Sequence, residues 1–167
     1  KKIIGVGSQP LSGIFYNSKK LNLKKYPLDL FKCQFCQLIQ LYKTAKFENM
    51  FGETYEYRTS LSKMMISHIK NKVKYLKKKN LIKNNSSVLD IGSNDGTLLN
   101  NLNKSMQLYE IDPTDKKFKH LYNKNISVCE NFFSKKNIEN FIKKKNGKET
   151  KFDLITSFAM FYDVNDP

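Results

Sequence analysis

The chain is almost without arginine. Arg58 is the only one among 30 basic residues, which face 15 acidic residues and leave a net charge of +15. Such a charge invites a nucleic-acid reading. Base-specific readers depend on the bidentate arginine fork, however, so a lysine-only excess argues against nucleic acid as the partner. Asn and Ile are abundant beside Lys, the bias that an AT-rich coding sequence produces. Lysines such as Lys70, Lys74, Lys77 and Lys78 recur in a helical stretch, where they read as a solvated face. They could also steer an anionic substrate. Cysteine is scarce as well. Three cysteines cannot make a disulfide framework and suit a reducing compartment, here the cytoplasm. No apolar run reaches about 18 residues, so neither a membrane span nor a membrane partner is expected. No signal-peptide pattern opens the chain, and no internal repeat is present. Asn84-Asn85-Ser86 is the one linker-like spot. The phosphate-gripping motifs are also missing. Without Gly-Lys-Ser/Thr nothing is built to hold a triphosphate, and without G-x-G-x-x-G there is no dinucleotide fingerprint.

What the chain does have lies between residues 87 and 97. Val88, Leu89 and Ile91 form a short apolar run that carries one acid, Asp90, and enters a loop with Gly92, Ser93, Asn94 and Gly96. Leu98 and Leu99 then open a helical pattern. Strand, glycine turn and helix begin a nucleotide-binding α/β unit. Gly92 allows a tight turn and a close ligand approach, and the helix would aim its free N–H groups at the same place. A carboxylate at the strand end would repel a pyrophosphate and suits a cationic ligand without phosphate. S-adenosylmethionine (SAM), with an ammonium, a sulfonium and a ribose diol, fits that description. The stretch resembles motif I of the class I SAM-dependent methyltransferases.

A second strand, 108–112, ends in an acid. Asp112 stands 22 residues beyond Asp90, near the spacing at which an acid reaches ribose hydroxyls. A carboxylate could accept both hydroxyl protons at once. A turn or N-cap acid is the alternative reading of Asp112, and Glu110 competes for the ribose role because alternation could place both on one face. Residues 126–133 read as a third strand, with Asn131 or Glu130 facing an adenine amine and Phe132 or Phe133 either flanking the ring or filling the core. Residues 151–162 read as a fourth strand, leading into a loop with Tyr162. Segments 116–124 and 135–145 show helical spacing. The β-α-β-α-β-α-β order predicts a parallel sheet with right-handed crossovers and a ligand at the carboxyl ends of its strands.

Residues 1–50 lack that alternation. Cys33-Gln34-Phe35-Cys36, at a predicted hairpin turn between alternating apolar residues, reads as half of a zinc ribbon. A redox pair or two free thiols are the alternatives, but the helix-opening context of a redox motif is absent. Neither His68 nor His120 has ligand spacing to the pair.

Taken together, the parts narrow the resemblance. They are the zinc-ribbon head with Tyr26-Pro27-Leu28 before the cysteines, a helix led by Tyr55-x-Tyr57-Arg58-Thr59-Ser60-x-Ser62, and Asp-Ile-Gly-Ser-Asn-Asp-Gly-Thr-Leu-Leu as motif I. The chain resembles the C-methyltransferases of nucleotide-linked deoxysugars that carry an N-terminal zinc-binding domain. The resemblance implies an α/β fold, a Rossmann-like methyltransferase sheet with a small zinc-ribbon-like module. It divides the chain into 1–50, a helical connection 51–84 over the cofactor site, and a SAM-binding domain 85–167. It implies SAM held by Asp90, Gly92, Ser93, Asn94, Gly96, Asp112, Asn131 and Phe132, with Tyr57, Arg58 and Ser60 over the cofactor. It also implies structural zinc on Cys33 and Cys36, a nucleotide sugar as substrate, and a monomer. The family carries four cysteines at its zinc site and a catalytic His and Glu beyond the fourth strand. Both differences lead us to expect a fragment that is inactive by itself, with Tyr162 as a candidate substrate contact and no base assigned.

Overall fold

A computed structural model describes residues 1–12, 22–52 and 54–161. The chain divides into two compact units, Lys1–Tyr57 and Arg58–Pro167.

In the first unit the described residues form an antiparallel sheet of β1 (Lys2–Pro10), β2 (Lys25–Lys32) and β3 (Ile39–Leu41), in that order, followed by a short helix α1 (Phe47–Phe51). The Cys-x-x-Cys segment is the β2–β3 turn. The Cys33 N–H donates to the Leu38 carbonyl at 2.8 Å, and the Gln37 N–H to the Cys33 carbonyl at 3.1 Å. Gln37 takes a left-handed conformation, φ 65°, which closes the turn. Aromatic pairs supply much of the packing: Phe31 stacks on Tyr42 at 4.6 Å, and Phe47 meets Phe51 at 4.9 Å.

The second unit is the predicted α/β layer. Helix α2 (Lys63–Lys78) starts at Ser62, whose hydroxyl accepts from the Met65 N–H, a standard N-cap. Then come β4 (Ser87–Ile91), β5 (Gln107–Ile111), α3 (Asp115–Phe118), β6 (Ile126–Cys129), α4 (Lys135–Asn146) and β7 (Leu154–Ser157). The four strands are parallel, in the order β6-β5-β4-β7. The central strands β4 and β5 bury both faces, as a parallel sheet requires, whereas the edge strand β7 leaves Ile155 exposed. Val88, Leu108 and Ile126 pack with Ile69 and Val73 of α2 on one side. Leu89, Ile91, Tyr109 and Ile111 pack with Ile138 and Ile142 of α4 on the other. Strand β4 has its chain-successor β5 on one side and β7 on the other. In sheets with such a change of direction, ligands bind outside the carboxyl ends of the strands.

Several elements are shorter than their sequence pattern predicts. The segment after the glycine loop is a 3₁₀ turn, Leu99–Asn101, and not a full helix. Asparagines cause this by competing for backbone groups: Asn101 Nδ2 donates to the Thr97 carbonyl at 2.7 Å, and the Asn103 carboxamide accepts from the Ser105 N–H. No helical N-terminus is therefore aimed at the carboxyl ends of the strands from this segment. The predicted helix 116–124 is the four-residue α3 followed by a 3₁₀ turn, Lys119–Leu121. The third strand stops at Cys129 and the fourth at Ser157. Asn84-Asn85-Ser86 is no linker. Its last residue is buried and holds the Lys83 N–H at 2.9 Å, while Asn84 is tied to Asn103 and Ser105.

Candidate functional site

Parallel register sets one polar row across the sheet near its carboxyl end. Asp90 lies level with Glu110 on one side and Thr156 on the other. Both acids are buried, Glu110 completely. The Thr156 hydroxyl donates to Asp90 Oδ1 at 2.7 Å. Among the described residues no lysine or arginine is paired with Asp90. Burial pushes the Asp90 carboxyl up to about 7; the Thr156 hydrogen bond opposes that shift, and the charge of Asp112 adds to it. An acid so placed gains a partner when a cation arrives.

The loop after Asp90 is fixed from several directions. The Gly92 N–H donates to the Ile111 carbonyl at 2.9 Å. Gly92 has φ +69°, and a Cβ there would lie 2.9 Å from Met160 Cγ. The expected close approach at Gly92 is thus made by Met160, from the turn after β7. Gly96 has φ +71°, and its open side is taken by the Tyr122 ring, 2.7 Å from where a Cβ would be. Ser93 Oγ lies 2.8 Å from the Tyr122 hydroxyl, which also donates to the Asn94 carbonyl at 2.9 Å. Asn94 and Asp95 face the start of the unit. The Thr59 N–H donates to Asn94 Oδ1 at 3.0 Å, and the Ser60 N–H to Asp95 Oδ2 at 2.8 Å. Arg58 Nε lies 4.0 Å from that same oxygen. Asp95 Oδ1 accepts from the backbone and hydroxyl of Thr97.

Asp112 ends up both a turn acid and a neighbour of the loop. Its Oδ1 accepts from the Thr114 N–H and hydroxyl, and its Oδ2 from the Asn94 N–H at 2.9 Å. A carboxylate offers about four acceptor sites, so a two-handed grip on a ribose diol has little room here. Glu110, the competing candidate, accepts from the Cys129 N–H at 2.9 Å and from the Tyr122 hydroxyl at 3.3 Å.

Asp90, Gly92, Ser93, Asn94, Gly96 and Asp112 are therefore gathered at the ends of β4 and β5, with Ser60 tied to them through Asp95. Asn131 and Phe132 follow β6. The Asn131 side chain is exposed and accepts from Asn137 Nδ2 of α4 at 3.0 Å, and Phe132 is half-buried. Tyr57 belongs to the first unit, where its ring packs on Tyr55 at 6.3 Å. Tyr162 lies outside the described residues. His68 and His120 are exposed. Thr156, Asp95 and Tyr122 were not singled out from sequence. Strand alternation opposite Asp90 points to Thr156, whereas no spacing signal marks Tyr122.

Cys33 and Cys36 share the turn of the first unit. The backbone N–H groups of Cys36, then Phe35, hold the Cys33 thiol below its ordinary value, which is what a thiolate ligand needs. The pair fits half of a tetrahedral zinc site. Among the described residues no cluster of three or more metal-ligating side chains forms.

Comparison with known proteins agrees with both halves. Residues 1–51 match a family model described as "Putative zinc binding domain", and residues 62–167 match one described as "Methyltransferase domain". The comparison with curated proteins returned no match. With a glycine loop and buried acid at the switch point of a parallel sheet, and a matched span that covers most of the chain, this protein belongs to the methyltransferase-domain family, the class I enzymes that methylate with SAM.

Proposed function

We propose that the protein is a C-methyltransferase for a nucleotide-activated keto-deoxysugar. The observation that carries this reading joins two stretches far apart in sequence. Thr59 and Ser60, from Tyr-x-Tyr-Arg-Thr-Ser, are hydrogen-bonded to Asn94 and Asp95, from the Ser-Asn-Asp form of motif I. Those are two of the three stretches on which the resemblance to the sugar enzymes rests, and they are hydrogen-bonded to one another in the loop that follows Asp90. The zinc-binding head and methyltransferase domain in one chain support the same reading.

SAM, when bound, supplies an electrophilic methyl group. Asp90 would hold a cationic group of the cofactor, and Gly92, Ser93, Asn94 and Gly96 would form the backbone floor beneath it. Asp112 and Ser60 would flank it, with Asn131 and Phe132 toward the adenine. The acceptor carbon becomes nucleophilic when a base removes the proton beside its keto group, and the protein's part is to align the two centres. Cys33 and Cys36 would hold zinc in a structural role. The lysine-rich surface would steer the anionic nucleotide sugar to a monomeric, cytoplasmic enzyme.

Calorimetric titration with SAM, followed by transfer of labelled methyl to a nucleoside-diphosphate keto-deoxysugar, tests this. Saturable SAM binding and label on a ring carbon that survives acid hydrolysis are expected. Label on oxygen or nitrogen would redirect the assignment to another small-molecule methyltransferase. An absence of heat at hundreds of micromolar SAM on a folded sample, together with salt-dependent retention on a polyanion column, would overturn it in favour of a basic nucleic-acid-binding protein.

A further inference from the structure

The glycine loop has a half-buried companion that the methyltransferase reading does not use. Tyr122 follows the 3₁₀ turn after α3, yet its ring lies against Gly96, where any side chain would collide with it. Its hydroxyl is within hydrogen-bond distance of Ser93 Oγ (2.8 Å), the Asn94 carbonyl (2.9 Å) and Glu110 Oε2 (3.3 Å). The chain on either side of the tyrosine is clamped by one residue. Asn100 Nδ2 donates to the Leu121 carbonyl at 2.9 Å, and the Asn123 N–H donates to Asn100 Oδ1 at 2.9 Å. Ring, hydroxyl and flanking backbone are thus fixed by three separate sets of contacts.

A phenol has one proton to donate, and Ser93 Oγ, the Asn94 carbonyl and Glu110 Oε2 all lie within its reach, with the Ser93–Tyr122 bond able to run in either direction. Asn94 is gripped at both backbone groups, its N–H on Asp112 and its carbonyl on Tyr122.

We infer that Tyr122 is a positioning residue for the cofactor, holding the Gly92–Gly96 loop in its binding shape. The inference rests on the reading that SAM occupies this loop. It assigns the tyrosine an effect on affinity and not only on folding.

The test compares three variants of the whole chain with the parent by calorimetry with SAM, each checked by thermal melting. Tyr122→Phe keeps the ring against Gly96 and removes the hydroxyl. Asn100→Ala releases both neighbours of the tyrosine and leaves the loop's own side chains intact. Ile142→Val trims the core beneath the opposite face of the sheet and serves as a control for lost stability. The expected result is a SAM Kd weakened about tenfold in Tyr122→Phe, weakened in the same direction in Asn100→Ala, and unchanged in Ile142→Val at a comparable melting temperature. Tyr122→Phe and Asn100→Ala binding SAM as tightly as the parent would overturn the inference while leaving the SAM assignment intact. All three variants weakening in step with their melting temperatures would overturn it too, since that is what a purely structural tyrosine does. A folded parent that binds no SAM fails the functional reading itself, a separate result.

Discussion

Asp90 carries opposing demands. Its carboxyl is buried, with a hydroxyl for company and no basic side chain among the described residues, so burial raises its pKa to about 7. The folded value lies above the unfolded one, and the folded state therefore binds the extra proton. Stability contributed at this site falls as pH rises from about 4 to about 7 and is flat above that, with a swing on the order of a few kcal/mol. Asp90→Asn is expected to remove that slope and to raise the melting temperature at pH 8, measured by thermal scans across pH. The same substitution should weaken SAM binding by roughly a hundredfold, because the cation loses its counter-charge. A cation lowers the carboxyl pKa, so binding below pH 7 releases a proton. Affinity for SAM should then climb between pH 6 and 7.5. Calorimetry at pH 6 in buffers of different ionisation enthalpy should show the released proton.

At the scale of elements, the loop after β4 and the Arg58–Ser60 segment depend on one another. Asp95 alone accepts from Ser60, from the backbone and hydroxyl of Thr97, and faces Arg58. Asp95→Ala would leave those donors partly buried and unmatched, at a cost of about 2–3 kcal/mol. Urea unfolding should show this as a lower midpoint, and limited proteolysis should open near residues 58–62. The α/β order was legible because apolar runs of four or five residues alternate with helical spacing, and that pattern survives without knowledge of contacts. The lengths of the connecting helices were not legible. Asparagines at 100, 101 and 103 look harmless in a periodicity count but take backbone partners in three dimensions.

Across the molecule, the two compact units predict unfolding in more than one step, so a single two-state stability is not the right description. If Cys33 and Cys36 ligate zinc, metal should raise the melting transition of the first unit and leave that of the second in place. Cys33→Ser and Cys36→Ser should each abolish the shift and lower bound zinc measured by elemental analysis. A chelator should reverse it, since ligand binding to the folded state is itself folding free energy. Cys129 is buried in the second unit and should resist thiol reagents that reach the exposed Cys36.

The fold class and the neighbourhood of the site were written in the one-dimensional pattern. A strand that ends in an acid and a glycine turn, followed at the right interval by further strands, can close into few other arrangements, because parallel crossovers have one hand and strand ends meet along one edge. The order of residues could not reveal what each polar group does there. That Asp112 serves Thr114 and Asn94, that Met160 covers Gly92, and that Tyr122 fills the space beside Gly96 all depend on elements brought together from distant parts of the chain. Hydrogen-bond partners are chosen by proximity in space, and sequence spacing carries no record of that choice beyond the nearest strand.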